Sequence, residues 1–244
     1  MIDSLLLTAA RINTFEHERG LTHASGFFFQ RDERLYLVTS RHVLVDEPSQ
    51  HFPNRIEIEL HTREDDLGKS VGFSVLLYED GKSQWHQGQD TAGEIDIALL
   101  QLDRAALPPD AVFRAFTPAH IQPAAGSVEV GSSVLIVGFP LGFHDTLHHL
   151  PVVRQAVVAS AFGMRFQGQG YFLTDARTHR GTSGSPVVLR DPAAAHGKAE
   201  DLPWKLLGVH SASLDMKDRD RVQDETLGLN CAWYADMLMT LSEG

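Results

Sequence analysis

Gly181-Thr182-Ser183-Gly184-Ser185-Pro186 sets a hydroxyl residue between glycines, directly ahead of a proline and the apolar run Val187-Val188-Leu189. Outward from it, Thr39-Ser40-Arg41-His42 closes one apolar run, and Asp96-Ile97-Ala98-Leu99-Leu100 opens another. The chain therefore carries a histidine, an aspartate and a serine in that order, each at the end or start of a strand-like segment. Singly, each has an ordinary reading: a serine between glycines is usually a surface turn, and the other two are polar strand ends. Jointly they fit one scheme, a nucleophile with its base and an orienting carboxylate.

That scheme assigns a task to each residue. A free hydroxyl attacks poorly, so Ser183 needs a neighbouring base. His42 is the candidate base and then acid, because an imidazole titrates near neutrality. Asp96 is the candidate for fixing the histidine tautomer and stabilising the imidazolium. The main-chain amides of Gly181 and Ser183 are the candidate oxyanion hole, with Gly181 free to take backbone angles that a side chain forbids. The order also speaks against the α/β-hydrolase class, in which the nucleophile comes first.

The surrounding pattern is one of strands. Gly26-Phe27-Phe28-Phe29 and Leu35-Tyr36-Leu37-Val38-Thr39 flank a polar turn, the signature of a hairpin. Ile56-Glu57-Ile58-Glu59-Leu60 alternates with period two, and Phe73 to Tyr78 and Ile95 to Leu100 add further strands. After a Pro-rich connection, strands are expected over Ser133 to Gly138, Val152 to Ala161, Gly170 to Thr174, Pro186 to Leu189 and Leu206 to His210. The first residues, 2 to 16, read as a short amphipathic helix or in part as a first strand. The tail from Cys231 to Leu241 reads as helical. The expectation is an all-β protein of two packed antiparallel β-barrels with a short N-terminal segment and a C-terminal helix. Residues 1–115 would carry the histidine and aspartate, and residues 116–244 the serine.

Bulk properties narrow the functions. A length of 244 residues allows a sizeable core, and a formal charge of −11 argues against a nucleic-acid surface. The single cysteine, Cys231, permits no intrachain disulfide and fits a reducing compartment. The N-terminus carries Asp3 where a secretion signal would be basic, and no apolar run approaches the roughly 20 residues of a membrane span. A cytoplasmic protein without membrane or nucleic-acid partners is expected. The loop His144-Asp145-Thr146-Leu147-His148-His149 has metal-ligand residue types, but the solvated-loop reading is favoured. No cofactor or metal is expected.

These motifs resemble the trypsin/chymotrypsin superfamily, and within it the bacterial high-temperature-requirement (Deg/Htr-type) protease domain. The resemblance rests on Ala24-Ser25-Gly26-Phe27, Leu37-Val38-Thr39 with His42-Val43, Glu94 to Leu100, Gly138-Phe139-Pro140-Leu141-Gly142, Thr174-Asp175-Ala176, the Ser183 motif and Gly208-Val209-His210-Ser211. It spans most of residues 20 to 215. It implies six strands per barrel and an endopeptidase acting on protein or peptide substrates through an acyl-enzyme. By alignment, Arg177 falls at the base of the primary pocket, and Ser211, Ala212 and Ser213 form one wall. Ser213 stands where trypsin-like enzymes have glycine, which would narrow the pocket. An inward Arg177 would repel basic side chains and attract acidic ones; an outward Arg177 leaves the pocket small or apolar. His210 is assigned no chemistry.

Three positions depart from the family pattern. Arg41 replaces a small residue, Ser185 replaces glycine, and Thr182 replaces the acid that extracellular members use in zymogen activation. With Gly244 as the last residue, no peptide-binding regulatory module is expected. These departures keep two alternatives open. One is an inactive protease fold that binds peptides by strand addition. The other is a latent enzyme awaiting a separately encoded regulator.

Overall fold

The computed structural model describes residues 2–124, 128–191, 194, 202–211 and 228–243. Apart from two small two-stranded hairpins, Tyr78–Glu79 with Lys82–Ser83 and Gln89–Asp90 with Gly93–Glu94, its strands form two units. The first contains β1 (Ala9–Glu16), β2 (Arg19–Arg31), β3 (Arg34–Thr39), β4 (Arg55–His61), β5 (Ser70–Leu76), β6 (Trp85–His86) and β7 (Ala98–Leu102), in the sheet order β5-β4-β1-β2-β3-β7-β6. The second contains β8 (Ser133–Gly138), β9 (Val152–Val158), β10 (Tyr171–Asp175), β11 (Pro186–Arg190), β12 (Trp204–Ser211) and β13 (Leu229–Tyr234), closed as β8-β9-β10-β13-β12-β11. Every strand pair in both units is antiparallel. The second unit is thus the expected six-stranded barrel. The first wraps its own core with a seventh, two-residue strand, β6, at its edge.

Sequence periodicity sets which face each strand buries. In β4, Ile56, Ile58 and Leu60 are almost fully buried while Glu57 and Glu59 lie on the other face, only partly covered. The run Phe27-Phe28-Phe29 in β2 lacks alternation because both of its faces are covered. Phe28 enters the core of the first unit, whereas Phe27 and Phe29 enter a second core between the units. That shared core also takes Leu5, Tyr36, Val38 and Leu99 from one side and Val137, Val188, Leu206, Val209 and Trp233 from the other. Each such large side chain contributes about 1.5–3 kcal/mol by leaving water, so the shared core fixes the two units against each other.

Both chain ends differ from expectation. A short 3-10 helix, Ser4–Leu7, precedes β1, so most of residues 2 to 16 is strand rather than helix. β1 is sandwiched between β2 and β4, and this pairing overrides the helical spacing. The tail is strand β13 followed by a five-residue helix, Met237–Leu241, rather than one helix from Cys231. Without β13 the barrel would lack its sixth strand. Among the described residues no helix is long and apolar enough to cross a membrane.

Candidate active site

His42 lies on a one-turn helix, Arg41–Leu44, that begins directly after β3. Asp96 lies two residues before β7, the strand paired with β3. The pairing of Ala98 with Thr39 therefore brings the two residues together. His42 Nδ1 and Asp96 Oδ2 are 2.8 Å apart, and the His42 main-chain N–H donates to Asp96 Oδ1 at 2.9 Å. Ser211 Oγ, at the end of β12, donates to Asp96 Oδ2 at 2.8 Å. Arg41 adds an outer clamp: its guanidinium meets Glu94 at 3.2 Å and donates to Gln87 Oε1 at 3.2 Å.

The electrostatics follow from this arrangement. Burial is the largest single influence on His42 and lowers its pKa. The Asp96 charge and hydrogen bond, with Asp46 further off, outweigh it and hold the imidazole above its ordinary value of 6.5. Burial likewise raises the Asp96 carboxyl, but the His42 charge, the two bonds from His42 and the Ser211 bond bring it below the usual range. The pair thus favours imidazolium beside carboxylate, the charge state needed after proton abstraction.

Ser183 sits on the turn leading into β11. Gly181 and Gly184 flank it at φ of 91° and 86°. A Cβ on Gly181 would lie 2.7 Å from the Phe139 carbonyl oxygen, and one on Gly184 would lie 2.2 Å from the Ser25 carbonyl oxygen. Both the backbone angle and the space therefore demand glycine. Thr182 uses its hydroxyl locally as a donor to the His179 carbonyl. Among the described residues, the Gly181 and Ser183 N–H groups donate no intrachain hydrogen bond, so both remain available to a ligand. Ser183 Oγ, on a residue only 6% exposed, likewise makes no hydrogen bond among them.

Two residues bind this loop to the rest of the site. Ser25 of β2 donates its N–H to the Ser183 carbonyl at 3.0 Å; its hydroxyl donates to Gly181 O at 2.7 Å and accepts from Phe139 N–H at 2.9 Å. His210 of β12 accepts from Gly184 N–H and donates to Ser185 O, both at 2.8 Å. Its carbonyl also accepts from Ser40 Oγ at 3.3 Å, two residues before His42. The sequence contained Ser25 inside a motif but gave it no role; its bonds span 156 and 158 residues of chain, and no local pattern reports them.

The pocket candidates are less concentrated. Ser211 directs its side chain to Asp96. Arg177 is exposed, while its neighbour Thr178 donates to Asn230 Oδ1 at 2.6 Å. Ala212 and Ser213 lie outside the described residues. Ser185 fits its unusual position because Gly138 leaves room: a Cβ there would lie 2.1 Å from Ser185 Oγ. In the 144–149 loop, His144 Nδ1 meets Gly142 O at 2.6 Å and His148 pairs with Asp145 at 2.7 Å. Among the described residues no three potential ligands converge on a metal position.

Residues 24–193 match the trypsin-like peptidase domain. The chain belongs to the trypsin-like peptidase family. The match covers the strand pair before His42, the Asp96 turn and the whole Ser183 loop of this trypsin-like peptidase. A comparison with curated proteins gives no significant match. Among solved structures, the serine endoprotease from Yersinia pestis is similar in fold, at 15% sequence identity and a TM-score of 0.57. The alignment covers 98% of this trypsin-like peptidase and 62% of the Yersinia chain.

Proposed function

We propose that this trypsin-like peptidase is a serine endopeptidase that hydrolyses peptide bonds of protein substrates through Ser183, His42 and Asp96. The observation that carries the reading is the doubly bonded His42–Asp96 pair, with Nδ1 to Oδ2 at 2.8 Å. It leaves His42 Nε2 as the free ring atom for proton transfer. In this reading Ser183 Oγ attacks the scissile carbonyl carbon while His42 Nε2 takes its proton. The Gly181 and Ser183 amides hold the oxyanion, each worth about 3 kcal/mol of transition-state stabilisation. The imidazolium then gives its proton to the leaving amine as the acyl-enzyme forms. Water, deprotonated by the same nitrogen, releases the acid and restores the serine. A cytoplasmic location suits the single, buried Cys231.

One observation favours a second reading, a latent enzyme gated by a separately encoded regulator: Ser183 Oγ has no hydrogen bond among the described residues. Hydrolysis of an unfolded protein substrate tests both. The first reading expects cleavage by the purified protein and none by Ser183→Ala. Cleavage only after addition of host lysate, still dependent on Ser183, would support the second. Equal cleavage by both proteins would overturn the two together.

A further inference from the structure

β5 lies at the end of the first sheet and is paired on one side only, with β4. The other edges among the described residues are closed or short. The second unit is a closed barrel, and β6 and the strands of the two small hairpins are two residues long. β5 runs for seven residues, Ser70-Val71-Gly72-Phe73-Ser74-Val75-Leu76, with neither a charge nor a proline. Its register with β4 runs from Leu76 opposite Arg55 to Ser70 opposite His61 without a bulge. Sheet edges are ordinarily guarded by charges, prolines, bulges or brevity, because an open edge is a template for another strand.

The bonds at the two ends of β5 fix which of its main-chain groups are open. Thr62 N–H donates to Lys69 O at 3.0 Å, and Leu77 N–H donates to Asn54 O at 2.9 Å. In an antiparallel ladder, residues that bond to the neighbouring strand alternate with residues that bond away from it. Val71, Phe73 and Val75 therefore share the direction of Lys69 and Leu77, toward β4. The N–H and C=O groups of Ser70, Gly72, Ser74 and Leu76 point outward, and among the described residues they meet no partner. Apolar surface accompanies them: Val71 and Leu76 are exposed, and Phe73 and Val75 are only partly covered by the core of the first unit.

We propose that β5 is a self-association edge, pairing antiparallel with β5 of a second copy of this chain about a twofold axis at Phe73. In that register Ser70 lies opposite Leu76 and Gly72 opposite Ser74, so every outward N–H and C=O of both strands gains a partner. The two Phe73 side chains meet at the axis with Val71 beside Val75, which extends the cover over the half-buried apolar face. Charge selects a second copy over an unrelated strand. Lys69 precedes β5 and Glu79 follows it; both are exposed, and neither forms an ion pair among the described residues. The twofold sets Lys69 of each copy opposite Leu77 of the other, and so diagonal to its Glu79, at both ends of the paired strands. No hydrogen bond among the described residues links β5 to His42, Asp96 or Ser183, so this inference stands apart from the peptidase reading.

Sedimentation equilibrium of the full chain, from nanomolar concentration to about 100 μM, tests it. Wild type is expected to pass from monomer to dimer, with no larger species. Ser74→Pro removes an outward N–H that the monomer does not use, so this variant is expected to fold and to lose at least about 100-fold in association. Lys69→Glu sets like charges together at both ends and is expected to weaken association about tenfold; adding Glu79→Lys is expected to restore it to within about threefold of wild type. If circular dichroism shows Ser74→Pro unfolded, the charge reversal and its rescue decide. A wild type that stays monomeric throughout, a trimer or larger ring, or a dimer that Lys69→Glu or a folded Ser74→Pro leaves unchanged would overturn the proposal.

Discussion

The Ser25 N–H lies 3.0 Å from the Ser183 carbonyl oxygen, so the first sheet is bonded directly to the Ser183 loop of the barrel. The same residue's hydroxyl joins Gly181 O to Phe139 N–H. Ser25 is fully buried, and its own carbonyl accepts from Thr39 Oγ1 at 2.8 Å. The loop carrying Gly181 and Ser183 is therefore held from outside its own barrel. Ser25→Ala removes one donor and strands the buried Phe139 N–H, which costs about 1–3 kcal/mol of stability. Because the loosened loop binds the oxyanion but not the ground state, kcat is expected to fall about tenfold with KM little changed. Urea denaturation and steady-state kinetics check this; unchanged stability and kcat would remove Ser25 from the loop's support.

The His42–Asp96 pair sets a pH dependence. The imidazole must be neutral to act as base, and Asp96 holds its pKa above 6.5. Activity is expected to rise with pH through an apparent value above 6.5. In Asp96→Asn the attraction is lost while burial remains, so that value moves below 6.5 and kcat falls by about 10⁴-fold. A pH–rate profile that keeps its position in the variant would contradict the assignment of Asp96.

Ser185 and Gly138 are a matched pair. A methyl group on Gly138 would sit 2.1 Å from Ser185 Oγ and 2.6 Å from Ser25 Oγ. Gly138→Ala is expected to cost about 1–3 kcal/mol. Adding Ser185→Gly removes the nearer clash, so the double variant should be more stable than the sum of the singles predicts. Strict additivity in denaturant melts would show that the two side chains do not compete for one space.

The three candidate residues stood out in the sequence because each lies at the boundary of a segment with strong hydrophobic patterning. β3 ends at Thr39 just before His42, β7 starts at Ala98 just after Asp96, and β11 starts at Pro186 just after Ser183. Glycine at 181 and 184 was legible for a related reason, since no other residue suits both the angle and the space. The chain ends were not. β1 is paired with the adjacent β2 on one side and the more distant β4 on the other, the C-terminal strand β13 lies between β10 and β12, and the local spacing of both imitates helix. Ser25, quoted only as part of a motif, and His210, assigned no chemistry, take their place at the site through long-range hydrogen bonds that no local pattern reports. Arg41 read as an obstacle beside the histidine, but its guanidinium turns outward to Glu94 and Gln87.

The central claim is that Ser183 is an activated nucleophile. Labelling the purified protein with a fluorophosphonate, read by intact mass beside Ser183→Ala, tests it most directly. The account predicts one adduct on wild type and none on the variant. An adduct that persists in Ser183→Ala, or its absence from both proteins, would contradict it.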